Sequence, residues 1–200
     1  MHNMHTIIVL GGSMRRDSWN HKTAVMAAAG IKGDDIEVRT LHLADFPMPV
    51  YNEDTEAQDT LGEGVQALRS HFRAAQGVLL GVPEYNAVLP GALKNAIDWL
   101  TRPVEGGTRL DCFSGKVVAL VSASPGQLGG IRGLPTTRMI LSSIGMHVLP
   151  DQMAVGGVQV MKFGEYVHSL YVPTSLNLVK MKPLRGTALF ILDAKLVFKL

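Results

Sequence analysis

The chain has 200 residues and one cysteine, Cys112, so no disulfide can close within it. No CxxC pair or Cys/His cluster offers zinc-ligand spacing. No apolar run approaches the roughly 18–20 residues of a membrane-spanning helix. The opening MHNMHTIIVLGG has no basic n-region and a short apolar stretch at 7–10, so a signal peptide is not expected and a cytoplasmic protein is. Charged residues are few, at 18%, against 46% hydrophobic, which excludes a disordered chain. The net charge of +2 is too small to imply a nucleic-acid partner. Neither a GxSxG nucleophile elbow nor an HExxH metal motif occurs. The seven histidines are scattered singly and read as surface or packing residues, leaving no catalytic side chain and no metal site to assign.

What is present alternates. Short β-branched runs at 6–10, 35–41, 77–82, 116–123 and 146–150 are separated by helix-length segments. The first helical segment spans 18–30, with Gly30 at its end. Val65, Leu68, Phe72 and Ala75 recur at helical spacing, as do Leu93, Ala96, Ile97 and Leu100 behind Pro90. A further helix runs to about Ser143, with Pro135 near its start and Gly145 closing it. The order β-α-β-α-β-α-β-α-β predicts an α/β fold, a parallel sheet covered on both faces. Ligands of such sheets bind beyond the carboxyl ends of the strands, at the topological switch point. That places the interest in three loops.

The first, GGSMRRDSWN (11–20), supplies Ser13, Arg15, Ser18 and Asn20 before a helix start, which is equipment for holding a phosphate. It is neither a P-loop nor a dinucleotide fingerprint, and a glycine turn with Ser18 as N-cap explains it equally well. The second, PEYNAVLPGALKNAIDWL (83–100), sets Pro83, Glu84, Tyr85 and Asn86 at a strand end, where main-chain groups could read the edge of a planar heterocycle. Tyr85 serves also as a half-buried aromatic, and Lys94, Asp98 and Trp99 as helix packing. The third, SASPGQLGG (122–130), contains small residues that allow close backbone approach to a flat ligand, or simply a turn.

In order and in place, GSMRRDSWN, PEYNAVLPGALKNAIDWL and SASPGQLGG resemble the NADPH-dependent FMN reductases, which include flavodoxin-like quinone, azo and chromate reductases. The resemblance implies a flavodoxin-like three-layer sandwich with strand order 2-1-3-4-5. It assigns Ser13, Arg15, Ser18 and Asn20 to the FMN phosphate and ribityl end. Pro83, Glu84, Tyr85 and Asn86 would line the isoalloxazine, with Ser124 flanking it. NADPH or NADH would deliver hydride to flavin N5, and a small-molecule acceptor (quinone, azo compound, chromate or free flavin) would collect the electrons. A homodimer or homotetramer is implied.

The alternative reading is a non-enzymatic flavodoxin-type electron carrier, which Arg15 and the near-neutral core disfavour. A receiver-like signalling domain would need clustered acids after the first strand, where this chain has GGS. The resemblance covers 5–155. Residues 1–155 hold 13 Lys+Arg against 15 Asp+Glu, whereas 156–200 hold 6 against 2 and carry Pro173 and Pro183. The expected organisation is a flavodoxin-like FMN domain over 1–155 and an atypical tail over 156–200 that is no separate domain. That tail is either a frame-shifted sequence or a lineage-specific extension.

Overall fold

The computed structural model describes residues 4–56, 62–103 and 106–158. The three most apolar runs become the central strands β1 (His5–Gly11), β3 (Gly77–Gly81) and β4 (Val117–Ala123). They are buried on both faces, as continuous apolar runs require. The half-polar run forms the edge strand β2 (Ile36–His42), and β5 (His147–Val155) forms the other edge. All neighbours pair in parallel in the order β2-β1-β3-β4-β5, which is the flavodoxin-like order expected.

Helix α1 (Trp19–Ala28) covers one face through Ala24 and Ala28, against Val9, Leu79 and Val121. The opposite face carries α3 (Glu63–Ala74), α4 (Gly91–Leu100) and α5 (Gly133–Ser143), with the short α2 (Glu53–Glu56) preceding α3. There Leu68, Phe72, Leu93, Ile97, Leu134 and Leu141 close the larger core. Arg69, 5% exposed, donates to the carbonyls of Trp99 (2.7 Å) and Arg102 (2.9 Å) and so caps the end of α4.

Three local differences from the sequence reading have physical causes. The stretch expected to end at Pro150 continues as strand to Val155. The β4–β5 register shifts between Val118 and Leu120, so extra β5 residues bulge around Pro150, which has no N–H to give the ladder. Pro90 is the N-cap of α4, one position before the N1 place that proline commonly takes, and Pro135 lies in the first turn of α5, where its missing N–H is harmless. A 3-10 turn (Leu43–Asp45) follows β2, too short for periodicity to reveal. Gly145 closes α5 with φ +86, as expected of a terminating glycine.

Candidate active site at the carboxyl rim

Gly11, Gly81 and Val121 are in register near the ends of β1, β3 and β4, so the loops that follow share one rim. In the first loop, Gly12 N–H donates to the Gly81 carbonyl (2.8 Å) and keeps the chain close to β3. A Cβ on Gly12 would lie 2.6 Å from Leu93 Cδ2, so a larger residue there would have to displace that side chain. Ser13 is buried, and its Oγ accepts the Arg15 N–H (3.1 Å). Ser18 is buried as the N-cap of α1, with Oγ accepting the His21 N–H (3.4 Å).

The charges of this loop sort themselves by partner. The Asp17 carboxylate is held by Lys22, whose ammonium keeps it below the ordinary carboxylate range. Arg16 pairs with Asp45. Arg15 is exposed and donates to the Asp17 carbonyl (3.4 Å), with no carboxylate in ion-pair reach among the described residues. The loop therefore carries two hydroxyls, a guanidinium outside any ion pair among the described residues, and the positive end of α1, a donor set that fits a phosphate dianion.

Asn20 is used differently from the role the resemblance gave it. Its Nδ2 donates to the Ala123 carbonyl (2.9 Å) and its Oδ1 accepts the Ala123 N–H (2.8 Å). The side chain is buried and clamps the end of β4 onto α1. Asn20 builds the rim rather than lining it.

After β3, Val82 N–H donates to the Val121 carbonyl (2.7 Å) and Pro83 is buried. The Glu84 side chain is 8% exposed and lies behind the loop. Its Oε1 accepts Arg132 Nε–H (2.7 Å) and its Oε2 accepts the Arg132 backbone N–H (2.9 Å) at the start of α5. The Arg132 guanidinium holds the Glu84 carboxyl below its ordinary range. The Glu84 side chain thus latches the second loop to the third, which leaves its main chain for the ring-lining role expected of it. Tyr85 and Val88 form a two-residue hairpin closed by paired backbone hydrogen bonds (2.8 and 3.2 Å). Asn86 (φ 52) and Ala87 (φ 70) occupy the left-handed region, as a type I′ turn demands. The hairpin leaves Tyr85 and Asn86 exposed at the rim.

The third loop is fastened, not slack. Ser122 Oγ donates to the Gly129 carbonyl (2.6 Å), Ser124 N–H donates to the Val155 carbonyl (3.0 Å), and Ser124 Oγ accepts the Gly126 N–H (3.2 Å). Gly130, at φ +87, packs tightly on Ser122, where a Cβ would sit 3.1 Å from Oγ.

The loops of the rim accordingly carry Ser13, Arg15, Ser18, Pro83, Tyr85, Asn86 and Ser124, while the side chains of Asn20 and Glu84 are engaged in its frame. Two residues that the sequence reading passed over join them. Arg132 holds Glu84, and His42, at the end of β2, hydrogen-bonds the Arg15 carbonyl from Nε2 (3.1 Å). Neither has a sequence signal, because each acts on a partner remote in the chain. Among the described residues, no cluster of His, Cys, Asp or Glu could hold a metal and no helix is long and apolar enough to cross a membrane.

A doubly wound 2-1-3-4-5 sheet, with a phosphate-type loop after β1 and tight, main-chain-rich loops after β3 and β4, defines a flavodoxin-like FMN protein. The chain belongs to the NADPH-dependent FMN reductase family, whose model matches residues 5–159. It is an oxidoreductase of that family, with FMN as its prosthetic group and NAD(P)H as reductant, so the electron-carrier alternative falls away. It is 35% identical over 146 residues to a quinone reductase of Pseudomonas putida, covering 73% of this chain and 74% of that protein. It superposes on FerB, a flavoenzyme NAD(P)H:(acceptor) oxidoreductase from Paracoccus denitrificans, with a TM-score of 0.62 and 32% identity, over 74% of this chain and 78% of that one.

A second family, the flagellar motor switch protein FliM, matches residues 136–200. The FliM of Pseudomonas aeruginosa is 52% identical over 120 residues, covering 54% of this chain and 36% of that protein, so this chain spans about a third of that relative. A reductase gene read out of frame would not match another family. The frame-shift expectation for the tail is therefore corrected, although residues 159–200 lie outside the described residues.

Proposed function

We propose that residues 1–155 form an NAD(P)H-dependent reductase that delivers electrons to quinones, with azo compounds, chromate and free flavin as further acceptors. The observation that carries this reading is one loop holding Ser13, Ser18 and an exposed Arg15 beside two main-chain-rich loops at the β1/β3 switch point. FMN, when bound, supplies the redox chemistry, and the protein supplies binding, orientation and electrostatics. Arg15, with the Ser13 and Ser18 hydroxyls, holds the phosphate. Pro83, Tyr85 and Asn86 flank the ring system, mainly through main-chain groups fixed by the hairpin, and Ser124 flanks it from the third loop. No side chain is required to carry a proton in the reductive step.

The rim leaves Tyr85 49% exposed, with Val88, Leu128 and Ile131 also exposed around it. This apolar border supports a homodimer or homotetramer whose partner subunit walls the site. The reading needs no nucleic acid and suits the cytoplasm. Because reductant and acceptor share one open face, their turns must alternate. Initial rates with NADPH and a benzoquinone should give parallel double-reciprocal lines, and intersecting lines would reject a shared face. Sedimentation should give a species larger than the 21.6 kDa chain at micromolar concentration, and a monomer throughout would reject the assembly.

A further inference from the structure

β2 contributes no loop to the rim, yet its last residue reaches into the first loop. His42 pairs in register with Gly11 and is only 9% exposed. Its Nδ1 accepts the Ala44 N–H (3.2 Å), so that nitrogen carries a lone pair and the ring proton sits on Nε2. Nε2 lies 3.1 Å from the Arg15 carbonyl and donates to it. Both ring nitrogens are therefore used, one to anchor the ring to its own turn and one to hold the loop.

Arg15 is pinned at both ends of its backbone, by Ser13 Oγ at its N–H and by His42 at its carbonyl. The His21 ring backs the pair, 4.8 Å from His42 and tilted by 50°. His21 lies over Gly11, where a Cβ would come within 2.6 Å of its own Cβ. Its Nδ1 is buried without a hydrogen-bond partner, and burial, followed by the facing His42, lowers its pKa, so it packs as a neutral ring. Asp45 faces it from the turn after β2 and is tied to Arg16, giving that turn a second hold on the loop.

We infer that His42 is a positioning residue for the cofactor phosphate: by holding the Arg15 carbonyl it keeps the loop in the shape that aims Arg15 and Ser13 at the phosphate. The inference rests on the phosphate-loop reading above. Its test uses the full chain, with FMN and riboflavin titrated separately by flavin fluorescence. His42→Asn keeps an acceptor for Ala44 but is too short to reach Arg15, whereas His42→Gln places an amide N–H near the former Nε2. A lost neutral hydrogen bond corresponds to about a three- to tenfold effect. FMN should weaken by about that factor in His42→Asn, riboflavin should change less than about twofold, and His42→Gln should restore FMN binding.

Unchanged FMN affinity in His42→Asn, equal losses for both flavins, or no rescue by His42→Gln would overturn the inference. On the unaltered protein, 15N NMR should find His42 protonated at Nε2 alone and its Nε2 signal shifted by FMN but not by riboflavin. A signal indifferent to FMN would overturn it even if the Asn variant failed to fold. An unaltered protein that binds FMN no tighter than riboflavin would instead remove the phosphate-loop reading beneath it.

Discussion

Arg15 and Asn20 flank the start of α1, and the structure separates their tasks. Arg15 is exposed and outside any ion pair among the described residues, while Asn20 is buried with both ends of its amide on Ala123. Charge-assisted hydrogen bonds are worth about 1.5–3 kcal/mol, so Arg15→Ala should weaken FMN binding roughly ten- to a hundredfold and riboflavin binding far less. Asn20→Ala leaves a strand-end N–H and C=O unpaired and should cost about 1–3 kcal/mol of stability while affecting both flavins alike. Paired titrations and thermal melts decide. Equal losses for the two flavins in Arg15→Ala would remove it from the phosphate site. In the sequence the two residues looked equivalent, because a polar side chain's type does not say whether its partner is a ligand or a backbone group a hundred positions away. Glu84 was hidden in the same way, its partner Arg132 being set by the packing of one loop on another.

At the scale of elements, legibility followed periodicity. The central strands and α3 show their burial directly, since continuous apolar runs and a helical apolar face have few other uses. α1 is less transparent. Its buried face is Asn20, Thr23, Ala24 and Ala28, small or polar residues that let the helix backbone approach β3 at Gly81. The extension of β5 past Pro150 was concealed because proline normally ends a strand and here sits in a bulge. The hairpin after β3 stores strain that sequence cannot display, since Ala87 adopts φ 70. Ala87→Gly should relieve it and raise stability by about 1 kcal/mol, visible as a higher melting midpoint. A lowered midpoint would show that the left-handed turn is not held in the folded protein.

At the scale of the whole molecule, the described residues end on a packed contact. Val158, almost fully buried, packs with Ala123, Val155 and Trp19. A chain ending at Val158 should therefore melt cooperatively and bind FMN within a few-fold of the full chain. Loss of folding would make the tail part of the domain. Cys112 supplies a reporter for the comparison: it is fully buried, and burial pushes its thiol up to about 12, so at neutral pH it should react with thiol reagents only on unfolding. FMN should slow that labelling in both chains by stabilising the folded state. The central claim, that the rim is an FMN reductase site, is tested most directly by the absorption spectrum of the FMN-loaded protein under anaerobic conditions. Stoichiometric NADPH should bleach the oxidised flavin band, and a quinone added afterwards should restore it. A bound flavin whose band neither reductant nor acceptor changes would contradict the account.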